Sequence, residues 1–224
     1  MDKIRTLTQL QEALDGEMSW RIKEISDFKL VAKKQPTTAR TFTRAGVALV
    51  YAHWEGFIKT ASEAYLNFVD SQGYVYKELK TCFGVFGLKG QLALLGDSRK
   101  AKRNIEALEF VLNEIDKPAK MSMPTAINTE ANLTSAVFAN IAASLDISVS
   151  PYETKFNLID ESLVRRRNRV AHGEYLDLAV NDFAVLADEI LQLMRGYKTD
   201  IENAASLKSY IRVIPAVHNA LGSA

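Results

Sequence analysis

The chain has one cysteine in 224 residues, Cys82, so neither an internal disulfide nor a cysteine-based zinc site can be built from it. That usage fits a reducing compartment. It also lacks charge of one sign: 28 Lys and Arg against 27 Asp and Glu leave +1, too little to hold a polyanion nonspecifically. Any polyanion site must therefore be local. No apolar run approaches the roughly 18 residues of a membrane helix, and the opening "MDKIRTLTQLQEALDGE" carries no apolar core or small-residue cleavage pattern of a secretory signal. A cytoplasmic protein with no membrane partner is expected. Histidine is scarce, and His53, His172 and His218 share no metal-ligand spacing. The acid pairs Asp160-Glu161 and Asp188-Glu189 are adjacent in sequence, so each pair points to two sides of any helix. The stretch "FGVFGLKGQ" has glycines and a lysine but no Ser or Thr after that lysine and no clean strand before it, so it is not a phosphate loop. No metal and no cofactor is expected.

What is present is helical periodicity. The five prolines, at 36, 118, 124, 151 and 215, fall mostly between periodic stretches and punctuate them. Leu10, Leu14, Ile22, Ile25 and Phe28 recur at helical steps and predict an amphipathic helix over Thr8–Val31. A longer helix is expected over Thr38–Ser71, apolar on almost every side between Ala45 and Ile58, which marks it as central. Gly84, Gly87, Gly90 and Gly96 interrupt the next stretch, which suits short helices and loops, or one β-hairpin. Ser98 is an N-cap candidate for a helix with Ile105, Leu108, Leu112 and Ile115 on one stripe. Another helix is expected after Thr129 or Asn132, then two more over Glu153–His172 and Asn181–Leu207. The fold class is all-α: a single helical domain over residues 1–224, a bundle with a central apolar helix and additional short helices.

The stretch "RRRNRVAHGE", residues 165 to 174, is the densest in chemistry. With Phe156 at zero and about 100° per residue, Ile159, Leu163 and Val170 form the core stripe. Arg165 and Arg169 fall roughly opposite, on a solvated face, and Arg166 is intermediate. Arg167 falls at about 20°, inside the apolar stripe. A guanidinium there needs a partner. A carboxylate such as Glu55 would make it a structural ion pair, whereas an incoming phosphate would use its planar fork of donors. His172 lies about 140° away on the ideal wheel, so convergence requires a bent helix end or a second copy across a two-fold axis. Gly173 is the expected C-cap. Asn168, four residues before His172, is placed to hydrogen-bond the imidazole. The competing reading makes His172 a cation at the helix C-terminus, satisfying the dipole and the last carbonyls.

At these residues the sequence resembles the HEPN superfamily, whose ribonucleases carry an Arg followed by a polar residue and, four to six residues on, a His. "RNRVAH" supplies Arg167, Asn168 and His172 in that pattern, with Gly173 after it. The segments "IDESLVRRRNRVAHGE" and "AGVALVYAHWEGFIKTASEAYL" are similar to the MAE-type bacterial defence-associated branch. The resemblance implies a homodimer whose composite cleft cuts RNA without metal. His172 would be general acid or base, Arg167 would stabilise charge on the phosphoryl oxygens, and Asn168 would orient His172 or touch the phosphate. It also implies a defence or toxin-antitoxin setting with a neutralising partner protein. A noncatalytic HEPN module that binds RNA or a partner protein is the alternative.

Other residues carry plainer readings. His53 falls on the central helix and reads as a satisfied core histidine, Glu55 and Lys59 as an intrahelical pair, Trp54 and Phe57 as packing, Cys82 as an inert buried thiol, and "SRKAKR" at 98–103 as a basic helix start facing water or an RNA backbone contact.

Overall fold

α2 (Ala39–Ser71) is the expected central helix, buried on nearly every side from Thr43 to Val69. Its neighbours explain this: in the computed structural model α1 (Leu7–Lys34) and α7 (Val180–Ser206) pack along it and against each other. Residues 3–34, 37–97, 100–121 and 126–213 are described; Pro36, Ser98, Pro124, Pro215 and His218 lie outside them. Trp54 and Phe57 are fully buried as packing residues, Trp54 against Phe138, whose ring in turn meets Tyr152 and Tyr197 edge-on. Such aromatic pairs stabilise beyond the area they bury. Among the described residues all regular structure is helical, and no helix is long and apolar enough to cross a membrane.

Gly46 sets how closely α2 and α7 approach. A Cβ there would sit 2.4 Å from the Phe183 ring, and Phe183 is itself packed edge-on against Phe28. Gly46→Ala gains about 1 kcal/mol of helix propensity but forces about 3 kcal/mol of overpacking. The expected result is a melting temperature lowered by about 4–8 °C, measured by circular dichroism.

His53 is a core residue, as its place on the central helix suggested. It is 3 % exposed, stacked edge-on against Trp20, with Nε2 3.0 Å from the Glu24 carboxylate. Burial lowers its pKa, with the Glu24 charge opposing. Arg21 went unremarked in the sequence, yet it is 4 % exposed on the inner stripe of α1, paired with Glu17 and lying over the Trp20 ring.

Three local expectations are corrected, and the helix expected around Ile105 to Ile115 is present. The glycine-interrupted stretch is one continuous helix, α3 (Thr81–Asp97), not short helices and loops. Gly87 is there for close approach: a Cβ would meet the Tyr76 hydroxyl at 2.1 Å and the Lys120 carbonyl at 2.6 Å. α4 (Ala101–Glu114) forms, but Ala107 and Val111 face inward while the Ile105, Leu108, Leu112 and Ile115 stripe faces out. α5 (Ser135–Ser144) starts later than Thr129 or Asn132 and is capped by Thr134, whose hydroxyl accepts from Val137 N–H. It begins no earlier, because Glu130 adopts a left-handed φ of 54° and Thr134 itself is extended, with φ −74° and ψ 170°. Finally, Glu153–His172 is not one α-helix. A 3-10 segment, Ser150–Lys155, leads into a π-helical segment, Leu158–Val164, and then α6 (Arg165–Ala171).

Candidate functional site

The π-helical segment matters because each of its turns holds an extra residue, so ideal wheel angles do not carry unchanged into α6. The Arg165 N–H donates to Asp160 O, five residues back. Ile159 and Leu163 are nevertheless fully buried, Arg165 and Arg169 are exposed, and Arg166, Arg167, Asn168 and Val170 are half-buried. The inward lean expected of Arg167 is present.

Within the chain its partner is not the carboxylate weighed. Among the described residues no carboxylate lies within ion-pair distance of Arg167, Glu55 included. Instead the guanidinium carbon lies 3.8 Å from the centroid of the Tyr51 ring, and Nη1 donates to Asn168 Oδ1 at 2.9 Å. Tyr51 is buried on α2, and its hydroxyl accepts the Leu133 N–H at 2.9 Å. Burial raises the pKa of that hydroxyl and keeps it protonated. The neighbouring arginines differ: Arg165 pairs with Glu161 at 2.5 Å, and Arg169 pairs with Glu174 at 3.1 Å. Arg167 thus keeps an unneutralised charge with donors to spare.

α6 ends as its sequence indicates. Gly173 has φ +74°, its N–H donates to Val170 O, and the Glu174 N–H reaches back to Arg169 O. This reciprocal pair is the Schellman ending that a glycine permits. His172 is therefore the last residue of the helical path, exposed to solvent. The expected side-chain bond from Asn168 to His172 is not formed, since Asn168 Oδ1 accepts from Arg167; the two residues are joined by His172 N–H donating to Asn168 O.

Asn168 and His172 share the wall of a surface cleft of about 710 Å³ with Asp160, Glu161, Val164, Arg165, Arg169 and Glu174. Asp160 is committed elsewhere: its carboxylate accepts from the Ser135 backbone N–H at 2.7 Å and the Ser135 hydroxyl at 2.5 Å, at the start of α5. Arg167 sits behind Asn168 rather than on the cleft wall. The segment after His172 is held by arginines: Arg44 donates to Glu174 O, Arg169 to Tyr175 O, and Arg40 to the Tyr175 hydroxyl. Neither this clamp nor Tyr51 was found in the sequence. Both join residues far apart in the chain, and the only local signal was an arginine pair at the start of α2.

The other candidates resolve simply. Glu55 and Lys59 do not form the expected ion pair, and Glu55 acts instead through its charge near Tyr51. Cys82 is half-buried with its thiol pKa raised by burial, which makes it a poor nucleophile. Glu161, Asp188 and Glu189 each pair with a cation, and no group of three metal-ligating side chains occurs among the described residues. Of "SRKAKR", Ser98 and Arg99 lie outside the described residues, and Lys102 faces water 3.9 Å from Glu106.

The model of the family RiboL-PSP-HEPN matches residues 17–203, a span that includes Tyr51, Arg167, Asn168 and His172. It does not name the MAE-type branch. No curated protein and no solved structure matches the chain significantly.

Proposed function

Because the chain belongs to the RiboL-PSP-HEPN family, we propose that it is a metal-independent endoribonuclease, acting as one helical domain over residues 1–224. The observation that carries this reading is the un-neutralised guanidinium of Arg167, beside a cleft lined by His172. A buried structural arginine is ordinarily answered by a carboxylate, as Arg21 is by Glu17 here. One that rests on an aromatic face and a neutral amide is ready for an anion from outside.

In this proposal an RNA 2′-OH loses its proton to a base and attacks the adjacent phosphorus, the 5′-oxygen leaves with a proton, and a 2′,3′-cyclic phosphate and a 5′-OH end result. His172, exposed at the helix end, moves one of these protons. Arg167 stabilises the charge gathering on the phosphoryl oxygens, and Asn168 aims that guanidinium. Arg167 stands behind the cleft wall, so the proposed active form is a homodimer in which two such clefts join. A defence or toxin-antitoxin setting with a neutralising partner protein belongs to the same proposal.

A noncatalytic RNA- or protein-binding module is the second reading. It is favoured by the three carboxylates, Asp160, Glu161 and Glu174, on the cleft wall of the single chain. The test incubates purified protein with end-labelled RNA in EDTA. Fragments with 2′,3′-cyclic phosphate and 5′-OH ends are expected, whereas intact RNA retained by the protein would replace the first reading with the second.

A further inference from the structure

Trp20 is 48 % exposed on α1, although tryptophan is among the side chains that proteins bury most on average. Trp20, Glu24 and Asp27 follow one another at steps of four and three residues, which puts them on one face of the helix. With Lys23 and Phe28 beside them and Phe42 from the first turn of α2, they line a cavity of about 430 Å³ whose walls are mainly apolar. That volume lies within the range of small-molecule sites. Phe28 and Phe42 meet edge-on there, with ring centroids 5.8 Å apart. The Trp20 ring already holds one cation: the Arg21 guanidinium carbon lies 4.3 Å from its centroid, and the charge of that arginine is answered by Glu17.

The charges lining the cavity do not cancel. Glu24 and Asp27 are like charges three residues apart on one helix face, and they oppose each other. Asp27 has no ion-pair partner among the described residues, Lys23 included, although that lysine is only four positions away. Glu24 faces His53 Nε2 at 3.0 Å, but burial lowers the His53 pKa, so the imidazole is neutral at pH 7 and leaves the carboxylate charge unanswered. Lys23 is the one cation of the lining, against two carboxylates. An occupant with a single positive charge completes the balance.

The walls decide which cation. A metal ion would need more ligands than two carboxylates, and no group of three metal-ligating side chains occurs among the described residues. A primary ammonium has three N–H donors to satisfy, and aromatic rings offer no oxygen to accept them. A quaternary ammonium presents only methyl groups to the rings, while its charge is still attracted to them. We propose that this pocket between α1 and α2 binds a small quaternary ammonium compound, with Trp20, Phe28 and Phe42 around the methyl groups and Glu24 and Asp27 answering the charge. The site is separate from the His172 cleft, which α6 and the π-helical segment line. It neither requires the ribonuclease reaction nor bears on it.

The full chain is titrated by calorimetry with choline and, in parallel, with the neutral analogue of choline in which carbon replaces the nitrogen. Saturable binding of choline is expected, with the neutral analogue weaker by about tenfold or more. The emission of Trp20, the exposed one of the two tryptophans, shifts with the same midpoint. Asp27→Asn weakens choline binding about tenfold and Lys23→Met tightens it by about a few-fold; both residues are exposed, so the melting temperature stays near that of wild type. Equal affinity for the neutral analogue overturns the proposal, as does an affinity unchanged by Asp27→Asn or the absence of saturable choline binding. A trimethyl-lysine peptide that binds where choline does not makes the occupant a protein side chain, and the small-molecule proposal fails.

Discussion

His172→Ala is expected to slow RNA cleavage by about 10²–10⁴-fold while moving the melting temperature by no more than a few degrees. His172 is exposed at the end of α6, and the helix ending is held by backbone bonds from Gly173 and Glu174 that do not involve the imidazole. If the residue were only a cation at the helix C-terminus, its loss would cost about 0.3–1 kcal/mol of stability and leave the chemistry alone. Either role leaves the melting temperature within a few degrees of wild type, so the cleavage rate separates them. Arg167→Ala is expected to reduce cleavage by about 10²–10³-fold, the size of a lost charge-stabilising donor, and Arg167→Lys to restore little, because an ammonium has neither the fork nor the flat face that lies on Tyr51. Arg165→Ala is the control: its charge is already answered by Glu161, so the rate stays within a few-fold of wild type. Rates measured in EDTA, alongside thermal melts, decide the matter. Equal rates for wild type and His172→Ala would remove catalysis from this site.

How far the sequence could be read depended on whether the deciding contact was local. α2 was legible within a residue at its start because an all-round apolar helix with a proline before it has few alternatives. The ending of α6 was legible for the same reason, since a glycine after a helical run sets its own hydrogen bonds. Arg167 was legible as an arginine leaning inward, but what it leans on was not: Tyr51 lies on α2, far away in the chain, and nothing in the spacing of residues 165–174 names it. The two segments that most resemble HEPN proteins, 45–66 and 159–174, meet at this Tyr51–Arg167 contact. Elsewhere local patterns misled for physical reasons. Glycines in α3 read as breaks, although Gly87 serves close packing under Tyr76. The stripe on α4 forms as its spacing predicts, but periodicity cannot say whether a protein turns such a stripe inward or outward.

Tyr51 carries the second large expectation, because its ring and its hydroxyl do separate work. The hydroxyl accepts the Leu133 N–H ahead of α5, and the ring face carries the Arg167 guanidinium. Tyr51→Phe keeps the face and strands a buried N–H, which costs about 1–3 kcal/mol; cleavage per folded molecule is expected to stay near wild type. Tyr51→Leu strands the same N–H and also removes the ring. It forfeits a further 0.5–2 kcal/mol or so of cation–π attraction and leaves Arg167 tethered only through Asn168. Cleavage is then expected to fall about tenfold or more, since a guanidinium displaced by an ångström no longer meets the developing charge. Both variants should melt lower than wild type, so stability alone does not separate them. The separation lies in the rate, measured below both melting transitions and normalised to folded protein. If the Phe and Leu variants cleave equally well, the ring does not hold Arg167 for chemistry, and the stack is only a way of accommodating a half-buried arginine. If the Leu variant alone loses activity, the central helix is part of the active site, and its apolar character serves the reaction as well as the core.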